Sequence, residues 1–310
     1  MAQRISIREV GPRDGLQACK SIMPTEAKLA WIAAMVAAGV SDIEVASFVP
    51  PSVLPQMADA GMLVPEVIAR HPGIYVATLA PNLRGAQAAV ASGAHAVLVP
   101  VSASEAHSLS NVRRTRAEAV AEFSRVAGWM KTLDAPPKLI AGVPTAFGCS
   151  LQGEVPEAEV VAHAVALAEA GADEVCLADT LGYAHPSQVR RLLRTVIAEL
   201  GADRVGNLHL HDTMGSALAN AMAGLEAGVR GFDSALGGLG GCPFAPGSVG
   251  NVNTEDLVFM LESEGLHTGI DLAALIAARD VLRAGLPNEP LNGRVAAAGI
   301  PRTFRTALAA

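Results

Sequence analysis

Short apolar, β-branched runs alternate with longer stretches of helical periodicity through most of this chain. The runs predict strands at residues 5–10, 42–48, 74–79, 96–101, 138–143, 174–178, 205–210 and 231–235. Helical periodicity predicts intervening helices that include residues 25–38, 116–133, 156–170, 186–200 and 217–227. In "AAGV", "ASGA", "EAGA" and "EAGV", the glycines Gly39, Gly93, Gly171 and Gly228 follow alanine-rich segments and precede strands, where a left-handed C-cap belongs. Strands that alternate with helices imply a parallel sheet. Eight such units within 270 residues fit a closed (β/α)8 TIM barrel better than two doubly wound halves. No Gly-x-Gly-x-x-Gly follows the first strand, which removes the best support for a dinucleotide fold. The expected division is a catalytic barrel over residues 1–270 and a short appendage over 271–310. The appendage has one helix at 272–284 and a Pro/Gly-punctuated tail packed on the barrel.

Composition narrows the function classes. The chain has 310 residues, of which 51% are hydrophobic and 4% aromatic, so the core is built from Ala, Val and Leu. A formal charge of −7 argues against a nucleic-acid or anionic-membrane partner. Arg113, Arg114 and Arg116 form a local basic cluster that reads as solvated surface, with a phosphate as the alternative occupant. The longest apolar stretch, residues 31–40, is too short to span a bilayer, and the chain enters its first strand almost at once. A cytoplasmic protein is expected. Cys19, Cys149, Cys176 and Cys242 have no CxxC spacing, which disfavours a structural zinc cluster.

Polar residues gather where the predicted strands end, the mouth at which barrels of this class place their chemistry. Arg13 and Asp14 follow the first strand, Glu44 lies in the second, and Asp179 follows the sixth. His209 and His211 share one face of the seventh strand with Asp212 beside them, and Cys242 and Asn251 follow the eighth. Each has a structural alternative. Asp14, Asp179 and Asp212 suit turns or helix caps, Glu44 suits an inward partner for Arg13, Asn251 suits a cap, and Cys242 a small buried hydrophobe. Together, Asp14, His209, His211 and Asn251 form a mixed nitrogen and oxygen set with one formal charge. That set suits Mg²⁺ or Mn²⁺, and histidine pairs also accept Zn²⁺ or Co²⁺.

These residues lie in stretches that resemble the 3-hydroxy-3-methylglutaryl-CoA lyase family. The stretches are "VGPRDGLQ" from Val10, "IEVASFVPPSVLPQMAD" from Ile43, "TLAPNLRG" from Thr78, "LADTLG" from Leu177, "HLHDTMGSALAN" from His209 and "GLGGCPFAPGSVGNVNTEDLVFMLE" from Gly238. The resemblance implies a metal-dependent lyase that cleaves 3-hydroxy-3-methylglutaryl-CoA to acetyl-CoA and acetoacetate in leucine breakdown. By the same resemblance a divalent cation is held by Asp14, His209, His211 and Asn251. Arg13, Asp14, Glu44, Asp179, His209 and Cys242 match catalytic or site-supporting positions, and Lys20 matches a lysine offered as a coenzyme A contact. A homo-oligomer, dimer or larger, is expected. The chemistry implied is removal of a tertiary hydroxyl proton by Asp14 or His209, with Arg13 stabilising the enolate oxygen. The glycine-rich segment carrying Cys242 is expected to close over the site and return a proton to the acetyl-CoA carbanion. A different 3-hydroxyacyl-CoA is an alternative substrate. A Claisen-type synthase of the same superfamily is the alternative reaction, disfavoured by "RDGLQ" in place of "RDGEQ", the Cys242 segment and the lack of a regulatory domain.

Overall fold

Eight parallel strands close in chain order, the last pairing with the first, in a computed structural model that describes residues 3–240 and 250–308. The strands are β1 (Ser6–Glu9), β2 (Asp42–Ser47), β3 (Tyr75–Leu79), β4 (Ala96–Pro100), β5 (Lys138–Val143), β6 (Glu174–Asp179), β7 (Leu208–Leu210) and β8 (Gly231–Ser234). The helical segments are α1 (Leu16–Ala18), α2 (Thr25–Ala37), α3 (Ala60–Arg70), α4 (Leu83–Ala91), α5 (Glu105–Val112), α6 (Arg116–Met130), α7 (Glu157–Ala170), α8 (Pro186–Leu200), α9 (Ala217–Ala227), α10 (Thr254–Ser263), α11 (Leu272–Gly285) and α12 (Arg294–Ala298). The barrel expected from the alternation is therefore the fold. Among the described residues, no helix is long and apolar enough to cross a membrane.

Local chemistry sets the helix ends. Thr115 and Glu118 form a reciprocal capping box at the start of α6, and Asn82 caps α4 by accepting from the Gly85 amide at 3.0 Å. Gly171 ends α7 in the left-handed conformation, with φ of 114°, which a Cβ would penalise. Strand β7 is three residues shorter than its apolar pattern predicts. Val205 makes only an isolated bridge to Val175, beside which Gly206 N donates to the Val175 carbonyl at 3.0 Å, and glycine permits this close approach because a Cβ there would lie 2.5 Å from the Cys176 sulfur. Helix α11 packs along α2, and the buried Arg279 binds both Glu255 and the Asn292 carbonyl, tying the last helices to the barrel.

Most strand residues are apolar because helices cover the outer face while side chains fill the inside. The interior is divided, however. On β3 to β6 it is lined by Ala77, Leu79, Ala96, Leu98, Ile140 and Cys176. On the neighbouring β2, β1, β8 and β7, the register places Asp42, Arg8, Asp233 and His209 side by side in one layer. Arg8 bonds Asp42 at 2.8 Å within this layer, which keeps the charges of the polar half paired. An apolar wall thus faces a charged one inside a single barrel.

Candidate active site

The mouth is built first by the turn after β1. The Val10 carbonyl accepts from the amides of Arg13, Asp14 and Gly15 at 3.1, 2.7 and 3.3 Å, a widened helical turn where the sequence offered a turn or cap at Asp14. Gly11 permits it, because a Cβ there would stand 2.5 Å from Glu9 Oε1 and 2.8 Å from the Trp31 ring. The turn projects Arg13 and Asp14 inward. The Arg13 guanidinium lies between two carboxylates, 2.5 Å from Asp14 Oδ1 and 2.5 Å from Glu44 Oε2. Burial pushes the Glu44 carboxyl up against the opposing pull of Arg13.

The end of β7 supplies the histidines, and backbone pairing delivers Asn251 to them. His211 and Asn251 form a bridge, flanked by Asp212 N to Gly250 O at 3.1 Å and Val252 N to Leu210 O at 2.8 Å. His211 Nε2 is 3.6 Å and His209 Nε2 is 4.0 Å from Asp14 Oδ2, which also accepts from Asn251 Nδ2 at 2.7 Å. Potential ligand atoms of Asp14, His209 and His211 all lie within 4.8 Å of one another. His211 Nδ1 and Asn251 Oδ1 are buried without a hydrogen-bond partner. Two orphaned acceptor-capable atoms around a carboxylate and a second imidazole are the chemistry a hard divalent cation satisfies, so the donor set fits one. Burial would raise the Asp14 pKa, but Arg13 and the histidines hold it well below the usual carboxylate range.

Asp233 on β8 completes the arrangement. Its Oδ2 is 3.2 Å from His209 Nδ1, and its Oδ1 accepts from Asn207 Nδ2 at 2.9 Å. Burial would lower the His209 pKa, yet the bond to Asp233 and the charge of Asp14 direct it upward. With Nδ1 committed to Asp233, the ring presents Nε2 to Asp14. Sequence reasoning passed over Asp233, although a charged residue in the apolar strand "GFDSA" carries the same signal that singled out Glu44.

The remaining candidates take different places. Asp179 accepts from the amides of Tyr183 and Ala184 at 2.9 and 3.0 Å, so its carboxyl shapes the β6 turn; burial raises its pKa to about 6 against those bonds. Asp212 accepts from the Ala217 amide at 2.9 Å and supports the turn behind the histidines. Lys20 is exposed and stands outside the cavity lining. Cys242 lies outside the described residues.

A further carboxylate braces the mouth. Glu9 Oε1 accepts from Gly11 N at 2.9 Å and Leu236 N at 2.9 Å, and Oε2 accepts from Thr254 Oγ1 at 2.7 Å. Burial raises its pKa to about 7. In front of this scaffold a cavity of about 540 Å³ is lined by Arg13, Asp14, His209, His211 and Asp233 on one side and by Leu79 and Leu98 on the apolar wall. Its size suits a small organic acyl group rather than a macromolecule.

A family model described as HMGL-like matches residues 4–282. The mitochondrial hydroxymethylglutaryl-CoA lyase of Arabidopsis thaliana is 41% identical over 286 residues, which are 92% of this chain and 60% of that protein. The (R)-citramalyl-CoA lyase of Chloroflexus aurantiacus is 40% identical over 306 residues, covering 96% of this chain and 95% of the relative. Among solved structures, an HMG-CoA lyase from Acinetobacter baumannii in complex with coenzyme A and 3-methylmalate aligns with a TM-score of 0.90 at 38% identity, over 97% of both chains.

Proposed function

The chain belongs to the HMGL-like family and is a carbon–carbon lyase, and from that premise we propose that it cleaves 3-hydroxy-3-methylglutaryl-CoA to acetyl-CoA and acetoacetate with a divalent cation, Mg²⁺ or Mn²⁺. The observation that carries the reading is the cluster of Asp14, His209 and His211 beside Arg13 in one cavity. Asp14, His209, His211 and Asn251 would hold the cation. When bound, it supplies Lewis acidity that lowers the pKa of a coordinated hydroxyl by several units.

The side chains account for the rest. The C2–C3 bond breaks as the hydroxyl proton leaves; its electron pair passes to C2, C3 becomes the ketone of acetoacetate, and the thioester enolate takes a proton at C2. Arg13 is permanently cationic and faces the cavity, where it stabilises the enolate oxygen; a donor of this kind contributes roughly 3–4 kcal/mol to the transition state. Asp14, held anionic by Arg13, is a weak base, whereas Asp233 makes the His209 ring a stronger one. With its Nδ1 engaged, His209 has a single lone pair, at Nε2. It serves as a ligand at rest or as the proton acceptor in turnover, never as both at once. Cys242 is assigned the return of the proton to C2.

The citramalyl-CoA lyase relative supports a second substrate, which differs by one methylene between the carbinol carbon and the carboxylate. The test is a cleavage assay on metal-stripped protein, with and without Mg²⁺ or Mn²⁺, on both thioesters, following acetyl-CoA together with acetoacetate or pyruvate. Metal-dependent acetoacetate supports the proposal. Pyruvate alone moves the substrate to citramalyl-CoA, and no turnover of either refutes the lyase chemistry proposed. His209→Ala separates the two duties of that ring: weakened metal affinity marks the ligand, and lost turnover at retained affinity marks the base.

A further inference from the structure

Arg114 belongs to the cavity lining and makes no ion pair among the described residues. It lines the same cavity as Arg13, Asp14 and His209. Arg13 is committed to Asp14 and Glu44. Of the other arginines in the cluster, Arg113 is exposed, and Arg116 pairs with Glu159 at 2.8 Å. Among the described residues no carboxylate lies within 4 Å of the Arg114 guanidinium. Glu118 feels its charge at longer range, and Glu118 Oε2 already accepts from the Thr115 amide and hydroxyl at 2.8 and 2.9 Å.

The backbone on both sides of Arg114 is fixed. Arg113 ends α5 in the left-handed region, at φ 56° and ψ 38°, a conformation that a side-chain-bearing residue adopts only under constraint. One residue later Thr115 opens α6 with its capping box, and the Arg116 amide donates to Glu105 Oε2 at 2.9 Å, closing the corner between the two helices. Position 114 is therefore held at the cavity edge by a strained residue before it and a capped one after it. The backbone at position 114 is thus set before any ligand arrives, which leaves only the side chain to be ordered on binding.

We propose that Arg114 is the cavity's anion-binding residue and pairs with an anionic group of the acyl-CoA, either its terminal carboxylate or a coenzyme A phosphate. The proposal rests on the acyl-CoA reading above. Both groups accept two parallel hydrogen bonds from a guanidinium, and both are present in either candidate thioester.

The experiment compares parent, Arg114→Gln and Arg114→Lys as metal-loaded proteins. Steady-state kinetics on the thioester the parent turns over is expected to show KM raised about tenfold in the glutamine variant, with the loss falling mainly on KM, and partial rescue by lysine. Calorimetry with free coenzyme A and, separately, with 3-methylmalate identifies the group. Weakened coenzyme A binding assigns a phosphate, and weakened 3-methylmalate binding assigns the carboxylate. An active parent whose glutamine variant has unchanged KM and unchanged affinity for both probes overturns the inference. A parent that turns over neither thioester and binds neither probe removes the acyl-CoA reading and this inference with it.

Discussion

Replacing Asp233 by asparagine tests how the imidazole of His209 is aimed. The carboxylate accepts from two donors, His209 Nδ1 and Asn207 Nδ2, whereas an amide has one oxygen and places an N–H₂ against the other donor. One buried donor must therefore lose its partner, at about 1–3 kcal/mol of stability. If it is His209, the ring also loses the partner that fixes its tautomer. Loss of such a partner lowers metal affinity about 10- to 100-fold. Mn²⁺ titration of the metal-stripped protein by calorimetry reads the second effect, and urea unfolding without metal reads the first. An Asn207→Ala control removes the competing donor while leaving Asp233 to His209, so its metal affinity should stay near the parent's. Asp233→Ala leaves His209 Nδ1 without this acceptor on either branch, so an Asp233→Ala protein that binds Mn²⁺ within about twofold of the parent would refute the orienting role assigned to Asp233.

Other perturbations have separable outcomes. Glu9 keeps its proton up to about pH 7 in the folded chain, against an ordinary value of 4.5, so the folded state binds the proton more tightly and stability falls as pH rises through that window. The drop is on the order of 3 kcal/mol. Glu9→Gln should flatten it in urea melts at pH 5 and pH 7.5, and an unchanged slope would show that Glu9 is not its source. Gly11→Ala forces a Cβ into Glu9 and Trp31 and should cost about 1–3 kcal/mol in thermal unfolding; a parental melting curve would mean the turn relaxes freely. Arg13→Gln should leave Mn²⁺ binding nearly intact while cutting turnover by roughly 100-fold or more, and equal loss of both would make Arg13 structural. His211→Ala should weaken Mn²⁺ binding, and an unchanged titration would remove it from the ligand set.

The barrel was legible because alternation of apolar strands with helices is a local signal repeated eight times. Its site was legible in part for the same reason: Arg13, Asp14, His209 and His211 stand at strand ends, and strand ends meet at one mouth. The widened turn at Gly11–Gly15 was not, since it depends on the space between Glu9 and Trp31, which only tertiary packing creates. Nor was the late start of β7, where the chain before Leu208 touches β6 only through Val205 and Gly206. Asp233 was hidden for another reason: one acid in a strand has no partner in the sequence, and its meaning comes from Asn207 and His209 across a register that only the closed sheet defines. The basic cluster shows the converse. Three arginines close together in the sequence look equivalent, and the structure gives each a different surrounding.

The Glu9 brace bears on how the chain comes to life during synthesis. Its hydroxyl partner, Thr254, lies 245 positions further along, and Asn251 reaches Asp14 across 237. The residues of the first strand, the wide turn and both inward acids are synthesised long before Asn251 and Thr254 leave the ribosome. Until then the first strand lacks β8 at its side and the two acids lack these partners, and an unpaired edge of this kind is prone to misassembly. A cation held by Asp14, His209, His211 and Asn251 would not nucleate folding, because those donors come from the two ends of the chain; it would only reward a barrel that has already closed.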